Sequence, residues 1–396
     1  MKSYLVIISS ILLFSCDTKI NKDKFYTQPS SIKNSNLSCT IKAIDTISFE
    51  ISDITNPLQP SLKYKKIDET DYNIFLTNKN VLELYPLNGK EKKIDIEIKN
   101  EGPNSIKHIK DFYVQNFDSI FFISGAGNQK IIHLINKKSE IINKWDLNEI
   151  LESKYEKYWL SSFDCYQFSF NSQKDELYFY IYNGPITEKE TQLTFEQLAF
   201  DIRKNQVQFF GSLPKQFMKN SHYPYFGICS NIIDGKIINY YPNLHDISMY
   251  SGDSLKLEKV IYAKSKFSDN LFIGEEMIGN DPNMTEEKKF LIQNDAYLKL
   301  ITDKNGDFIY RFVKLGQEPI LQNGKIRDFF DIQFAVQVFD KDLNLILEKE
   351  FSEYDEMYFF QSFAIKNKLY ISYNNPLNES FNENKFQYAV FEIDCN

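Results

Sequence analysis

The chain has 396 residues, of which 42% are hydrophobic and 25% charged, and its formal net charge is −8 at pH 7. This composition is that of a globular protein and excludes a wholly disordered or collagen-like chain. The acidic balance, without any basic run, argues against nucleic acid or an anionic lipid surface as the main partner. With 25 Tyr and 34 Phe against 4 His, the chain is rich in aromatic residues and poor in material for histidine-based sites.

The first residues have the pattern of an export signal. Lys2 gives a short positive start, and the apolar run 4–14 is too short to span a bilayer as a helix. The run ends in Leu13-Phe14-Ser15-Cys16, which resembles a lipobox, the sequence that marks a cysteine for diacylation before cleavage. We therefore expect residues 1–15 to be a lipoprotein signal peptide and Cys16 to be the lipidated residue. The alternative is an ordinary secretory signal with a chance cysteine.

A polar stretch, residues 16–38, follows and is expected to be a flexible tether between the lipid anchor and the folded domain, residues 39–396. Four cysteines remain in the mature chain: Cys39, Cys165, Cys229 and Cys395. Their spacings match no CxxC motif, so a zinc site is not expected. An exported protein can form disulfides, and the sequence leaves open whether any of these four do so.

Short segments rich in Ile, Val, Phe, Tyr and Thr recur along the whole domain between turn signals. They fall into groups of four, with units that start near residues 62, 106, 163, 222, 296 and 358. These starts are too irregular for a WD40 array. The sixth unit has only three clear strands, near 359–365, 369–373 and 388–393, while the strand-like segment 40–51 has no local partner.

A ring of sheets has to close, and pairing segment 40–51 with the three-stranded C-terminal unit would close it and protect exposed edges. The sequence therefore predicts an all-β, six-bladed β-propeller in which an N-terminal strand joins the C-terminal blade. A pair of β-sandwiches is the alternative, but it should not repeat in fours with a terminal remainder. Helical signals are few and indicate short insertions, at residues 147–158 and after Asp281-Pro282.

Several short stretches carry a family resemblance. In chain order they are Glu101-Gly102-Pro103-Asn104 leading to Asp118-Ser119-Ile120-Phe121, Tyr241-Pro242 leading to His245-Asp246-Ile247, Ala263-Lys264-Ser265-Lys266-Phe267, Tyr310-Arg311-Phe312, and Leu369 leading to Asn374-Asn375-Pro376-Leu377-Asn378. In their order and spacing, the chain resembles the Bacteroidota lipoprotein family classed as domain of unknown function 4221. The resemblance implies a six-bladed propeller in the cell envelope. It implies no activity and therefore no catalytic residue.

Two glycine-containing motifs are interpreted as turns. Gly125-Ala126-Gly127 lacks the third glycine and the following helix of a dinucleotide site. Residues 303–307 resemble the start of a calcium loop, but Phe308 and Lys314 occupy the positions that require Gly and a bidentate Glu. Asn305-Gly306 between two strand-like runs is instead a hairpin signal. The sequence thus predicts no metal and no cofactor.

The fourth unit holds the candidate ligand contacts, because two of the four histidines lie there beside aromatic clusters. The candidate binding residues are His222, Tyr223, Tyr225, Tyr240, Tyr241 and His245. Tyrosine rings beside polar groups are typical of sugar or peptide contacts. A propeller packs aromatic residues between all its blades, however, so packing is the favoured interpretation. His133, on an apolar strand, is interpreted as a core residue.

The leading hypothesis is an envelope-anchored lipoprotein whose propeller is a binding or interaction module for a glycan, peptide or protein, not for nucleic acid. Its membrane partner would be the outer membrane, in the periplasmic or the surface leaflet. No catalytic residue is identified, because G-x-S-x-G, HExxH and Walker sequences are absent from the chain. The alternative is an extracytoplasmic hydrolase or lyase that acts on a glycan or peptide in the central channel. Two convergent carboxylates or a His–acid pair at the channel mouth would favour that enzyme.

Overall fold

The computed structural model describes residues 26–27, 39–58, 62–89, 91–127, 129–151, 159–161, 168–182, 197–211, 228–269, 271, 285–303, 306–328, 330–351 and 357–395. The expected signal peptide and Cys16 lie outside these residues, as do the candidate binding residues His222, Tyr223 and Tyr225. No helix in the described part of the chain is long and apolar enough to cross a membrane.

The chain forms six antiparallel blades arranged in a ring, which is a six-bladed β-propeller. Two strands precede the first blade, β1 (Tyr26–Thr27) and β2 (Cys39–Glu50). Blade 1 contains β3 (Lys63–Ile67), β4 (Thr70–Leu76), β5 (Val81–Pro86) and β6 (Ile94–Glu97), and blade 2 contains β7 (Ile109–Asn116), β8 (Ser119–Ser124), β9 (Ile131–Ile135) and β10 (Ile141–Asp146). Blade 3 contains β11 (Trp159–Ser161), β12 (Ser169–Asn171), β13 (Glu176–Tyr182), β14 (Gln197–Asp201) and β15 (Gln206–Phe210).

The second half of the ring follows the same plan. Blade 4 contains β16 (Cys229–Ile233), β17 (Lys236–Tyr240), β18 (Asp246–Ser251) and β19 (Leu257–Tyr262), and blade 5 contains β20 (Ala296–Thr302), β21 (Phe308–Lys314), β22 (Phe334–Asp340) and β23 (Leu345–Glu350). Blade 6 contains β24 (Tyr358–Ile365), β25 (Lys368–Ser372), β26 (Lys385–Cys395) and, from the other end of the chain, β2. β1 pairs in parallel with β19 at the outer edge of blade 4; it lies inside the segment expected to be a tether.

Tight turns with left-handed backbone join neighbouring strands within the blades. Asp234 and Gly235, between β16 and β17, have φ of 46° and 74°, and Lys366 and Asn367, between β24 and β25, have φ of 49° and 66°. Two consecutive positive φ values define the hairpin turn whose twist matches that of the strands. β20 and β21 pair antiparallel on either side of residues 303–307, where the sequence predicts a hairpin; Asn305 of that signal lies outside the described residues.

Apolar packing occurs between the blades. The described residues form six buried clusters, and each contains residues from two neighbouring blades, so that each of the six gaps around the ring holds one cluster. The aromatic residues of the sequence are concentrated in these clusters; Phe75 of blade 1, for example, stacks on Phe386 of blade 6 with ring centres 4.2 Å apart. Each blade is therefore held by its neighbours on both sides.

The predicted closure of the ring is confirmed. β2 pairs antiparallel with β26, with a register that runs from Cys39 opposite Cys395 to Glu50 opposite Lys385. Cys39 and Cys395 form a disulfide, with Cα atoms 4.1 Å apart. Because the two cysteines are direct cross-strand neighbours, the register itself brings them within bonding distance. The two ends of the domain are thus joined by a sheet and by a covalent bond.

The described residues include a helix at each predicted insertion; residues 152–158 of the first lie outside the described part of the chain. α1 (Leu147–Ile150) begins after Asp146, whose carboxylate accepts the backbone N–H of Asn148. α2 (Thr285–Gln293) has acidic residues in its first turn, Glu286 and Glu287, which suits the positive end of the helix dipole. The proposed N-terminal signal of this helix, Asp281-Pro282, lies outside the described residues.

Candidate functional site

Three of the candidate binding residues lie in the described part of the chain, where blade 4 packs against blade 5. Tyr240 ends β17 and is 1% exposed, and Tyr241 is 8% exposed. His245 precedes β18 and is half-buried. Tyr240 and Tyr241 therefore belong to the packed interior, and their surroundings explain why.

The fully buried side chain of Arg311 organises this junction from β21. Its guanidinium carbon lies 3.5 Å from the ring centre of Tyr297 and 5.3 Å from that of Tyr240. Its Nη atoms donate to three backbone carbonyls, those of Leu244 (2.9 Å), His245 (3.1 Å) and Ala263 (3.3 Å). Burial lowers the pKa of Arg311 to about 10, so the group stays protonated at neutral pH. The buried charge is balanced by carbonyl dipoles and aromatic faces.

His245 is held in one protonation state by the same junction. Its Nδ1 lies 2.7 Å from the hydroxyl of Tyr297, and that hydroxyl accepts the backbone N–H of Ser265 at 3.0 Å. The Tyr297 hydroxyl can therefore donate its proton to Nδ1 of a neutral His245. Burial, followed by the charges of Arg311 and Lys264, lowers the pKa of His245 to about 4. The imidazole is accordingly neutral at physiological pH.

These contacts unite three of the stretches that carry the family resemblance, namely those around His245, residues 263–267, and Arg311. All three serve to join blade 4 to blade 5 through one buried network. Packing accounts for Tyr240, for Tyr241 and for much of His245. That these residues also contact a ligand stays a prediction.

A second feature has the properties of a ligand site. A cavity of about 310 Å³ lies where the first strands of all six blades come together. Each blade contributes to its lining: Lys65 of β3, Tyr113 of β7, Phe170 of β12, Asn231 of β16, Lys299 of β20 and Ser362 of β24. The volume is at the lower end of the range of about 300–1,000 Å³ found for small-molecule pockets. We call it the central cavity.

Lys65 of β3 lines the central cavity beside the neighbouring blade 2. Lys63 and Lys65 point to the same side of the strand, and both contact β7 of the next blade. Lys63 Nζ lies 2.5 Å from a carboxylate oxygen of Asp111 and is therefore ion-paired. Lys65 Nζ instead donates to the hydroxyl of Tyr113 (3.0 Å) and to the amide oxygen of Gln115 (3.2 Å). Both contacts are neutral, and no carboxylate of a described residue pairs with Lys65.

Two further polar groups line the cavity from blades 5 and 6. Lys299 is 6% exposed, and its Nζ donates to the backbone carbonyl of Phe360. A β-bulge in β20 shifts the register between Tyr297 and Lys299, which changes the alternation of side chains at this point. Ser362 is 3% exposed, and its hydroxyl has no hydrogen-bond partner among the residues that the structure describes.

The charge of the central cavity is opposite to that of the whole chain. Among its described lining residues are three lysines (Lys65, Lys66 and Lys299) and one acid, Asp68. Lys66 is paired with Glu69 at 3.1 Å, so these five residues carry an excess of one formal positive charge in a chain of net charge −8. Burial lowers the pKa of Lys65 to about 8. At pH 7 the amine is still mostly protonated, and its charge has lost part of its hydration.

Aromatic rings form the apolar part of the cavity wall. Tyr113 meets Phe168 edge to face, with ring centres 6.3 Å apart. On the opposite side of β3, Tyr64 stacks on Phe363 at 5.7 Å, and its hydroxyl donates to Asp71 at 2.6 Å. The rings are therefore fixed by their neighbours. The central cavity combines cationic groups with rigid apolar surface.

The central cavity was not found from the sequence, although one signal for it exists. β3 has the sequence Lys63-Tyr64-Lys65-Lys66-Ile67, with three lysines in a strand of five residues. In a propeller whose strands are connected in order, the first strand of each blade lies nearest the axis. Lysines in such a strand indicate a cationic channel, whereas the histidines and tyrosines of the sequence suggest blade 4.

Comparisons with known proteins bear on the fold. The family model described as Domain of unknown function (DUF4221) matches residues 34–350. The crystal structure of a DUF4221 family member from Bacteroides vulgatus is 18% identical, covers 90% of this chain and 99% of its own, and has a TM-score of 0.74. A second crystal structure is that of a Bacteroides fragilis protein named as a proposed exported protein. It is 9% identical, covers 94% of this chain and 99% of its own, and has a TM-score of 0.51. No curated protein matches the chain.

Proposed function

We propose that the chain, which belongs to the DUF4221 family of domains of unknown function, is a binding module anchored at the cell envelope, with its ligand site in the central cavity. The observation that carries this proposal is the composition of the cavity. It receives side chains from all six blades, contains a half-buried lysine with only neutral partners, and has fixed aromatic walls. Concave sites of this kind, largely apolar with a few placed polar groups, are typical ligand pockets.

The described lining supports binding better than the glycosidase form of the enzyme alternative. Glycoside hydrolysis uses two carboxyl groups about 5–10 Å apart across the scissile bond. Among the lining residues that the structure describes, Asp68 is the one carboxylate. It is exposed and occupies the turn between β3 and β4 with φ of 52°. A second acid for the reaction is not supplied by these residues.

Covalent cross-links support a location outside the cytoplasm. Cys39 is bonded to Cys395, and Cys229 is also disulfide-bonded. Disulfides persist in oxidising compartments such as the periplasm and the cell surface. Together with the lipobox-like sequence before Cys16 and the proposed export of the Bacteroides fragilis relative, they support an outer-membrane lipoprotein in the periplasmic or surface leaflet.

Lipidation is tested by replacing the acceptor cysteine. We expect Cys16→Ala to abolish incorporation of a labelled fatty acid and to release the protein from the membrane fraction or leave it unprocessed. Several acyl chains anchor a protein stably, since each buried CH₂ contributes roughly 0.8 kcal/mol. Thr18→Ala, two residues further on, is the control and should behave as wild type. Labelling of Cys16→Ala at the wild-type level would contradict the proposal.

The ligand site is tested by filling the central cavity. Ser169 of β12 lines the cavity and is half-buried, so Ser169→Phe places a ring in the cavity with little demand on the core. We expect small molecules that raise the melting temperature of the full-length protein to lose this effect in Ser169→Phe. Ligands whose effect survives the substitution, or turnover of a glycoside or peptide by both proteins, would contradict a binding site in the cavity.

A further inference from the structure

We infer that the central cavity binds a small organic anion, whose carboxylate or phosphate group pairs with Lys65 while an apolar or ring-shaped part lies against the aromatic wall. This inference rests on the proposed function of the cavity as the ligand site, and it specifies the chemical class of the ligand. Three features of the described residues support it.

The first feature is the donor count of Lys65. A lysine ammonium has three N–H donors, and Lys65 directs two of them to Tyr113 and Gln115. No described residue accepts the third donor; Nζ also lies 4.8 Å from the ring centre of Tyr113, and Lys65 lines the central cavity. Lys314, the other lysine with a strongly lowered pKa, has its Nζ on three backbone carbonyls, those of Leu291, Ile292 and Asn294. Lys314 is thus saturated by the protein, whereas Lys65 is not.

The second feature is the absence of a counter-ion at Lys65 and its presence at comparable lysines. Lys63 is paired with Asp111, and Lys93 with the buried Glu83 at 2.7 Å. A partly desolvated cation without a carboxylate is costly unless an anion completes the site. An incoming oxyanion would supply the missing charge, and the excess of lysine in the lining would favour its entry.

The third feature is a hydroxyl on the neighbouring blade 6 that no described residue hydrogen-bonds. Ser362 is 3% exposed and lines the cavity, and its Oγ has no hydrogen-bond partner in the described part of the chain. Buried hydroxyls are nearly always hydrogen-bonded. A polar atom of the ligand would satisfy this group. Because Lys65 and Ser362 lie on β3 and β24, neighbouring blades would then contribute to one bound molecule.

The size and walls of the cavity define the rest of the ligand. A volume of about 310 Å³ accommodates a compact molecule and not an extended glycan or peptide. Phe168 and Phe170 of blade 3 and Phe363 of blade 6 present apolar surface. A cyclic organic acid or a phosphorylated small molecule has both the charge and the apolar face that these groups would contact.

Isothermal titration calorimetry on the full-length protein tests the inference with matched probes. The pairs are benzoate against benzyl alcohol, galacturonate against galactose, and galactose 1-phosphate against galactose, with inorganic phosphate as the anion that lacks an organic part. We expect at least one organic anion to bind at least tenfold more tightly than its neutral counterpart. The carboxylate and phosphate members then distinguish the two sources of the charge. Equal affinity of the neutral and charged members would overturn the inference.

Lys65→Met removes the charge and keeps the length of the side chain. We expect it to lower the affinity for the organic anion at least tenfold and to leave the melting temperature of the unliganded protein unchanged or higher. Lys204→Met is the control, because Lys204 pairs with Asp201 at 2.8 Å and its side chain is 72% exposed; its affinity should equal that of wild type. A lower melting temperature with unchanged affinity in Lys65→Met would show a structural lysine and overturn the inference.

The two proposals fail in different ways. If a neutral molecule binds wild type, loses binding in Ser169→Phe and binds Lys65→Met normally, the cavity is a ligand site but the anion inference is wrong. If anions bind equally well to wild type, Lys65→Met and Ser169→Phe, the cavity is not the ligand site and both proposals are wrong.

Discussion

Removal of the disulfide between Cys39 and Cys395 measures what ring closure contributes to stability. β2 pairs with β26 along its length, but its burial pattern leaves Ile41 as the one buried residue of the strand. The strand is held by its backbone ladder, by the partly buried Ile47 and Phe49 that pack against the cluster between blades 1 and 6, and by the covalent bond at its first residue. We expect the double variant Cys39→Ser, Cys395→Ser to weaken the closure without changing the fold.

The expected loss follows from the length of chain that the bond encloses. The two cysteines are 356 residues apart, and the chain-entropy model for such a loop corresponds to about 6 kcal/mol at 25 °C, against roughly 2–5 kcal/mol for typical native disulfides. An unfolding entropy of roughly 2.1 cal/mol/K per residue over about 360 residues is ~0.75 kcal/mol/K. A loss of ~4–6 kcal/mol thus lowers the melting temperature by about 5–8 °C.

Differential scanning calorimetry of the full-length proteins is the appropriate assay, combined with limited proteolysis. Serine variants are needed in place of a reductant because Cys229 is also disulfide-bonded, and a reductant would cleave both bonds. We expect the variant to melt earlier and to be cut sooner within residues 39–50. A melting temperature within about 1 °C of wild type, with equal resistance of β2, would refute the argument that this bond maintains the closure.

Two further predictions concern the junction of blades 4 and 5. Arg311→Met should lower the free energy of unfolding by about 3 kcal/mol or more, because three buried carbonyls lose their donor. Urea denaturation measures this loss. An equal loss in the exposed control Arg203→Met would contradict the prediction. His245 and His133 have pKa values lowered to about 4, chiefly by burial. Because the unfolded chain, with histidine pKa near 6.5, takes up protons first, stability should decrease as the pH falls from about 6.5 to 4. His245→Gln should reduce that slope in melting curves, and an unchanged slope would show that His245 does not contribute.

The architecture was predictable from the sequence because its signals are local. The strand-like runs of each unit correspond to strands of one blade, and the missing fourth strand of blade 6 was recognisable as segment 40–51 without a local partner. The disulfide was not predictable, because it depends on strand order and register within blade 6. Only the observed order, with β2 next to β26, places Cys39 directly opposite Cys395.

The functional residues were harder to predict because they depend on contacts between distant parts of the chain. The tyrosines beside His245 suggested a binding site, since the local sequence does not reveal the guanidinium of Arg311, 66 residues further on, that packs among them. The central cavity depends on which side chains of six separate strands meet at the axis. At Lys299 the side of the strand on which the side chain lies also depends on a β-bulge. No sequence motif predicts this bulge.

The most direct test of the central claim is a crystal structure of the full-length protein with the organic anion that binds most tightly in calorimetry. We predict that the anion occupies the central cavity, with an oxyanion oxygen within about 3 Å of Lys65 Nζ, the usual distance of a charge-assisted hydrogen bond. An anion bound elsewhere on the protein, with Lys65 still contacting only Tyr113 and Gln115, would contradict it.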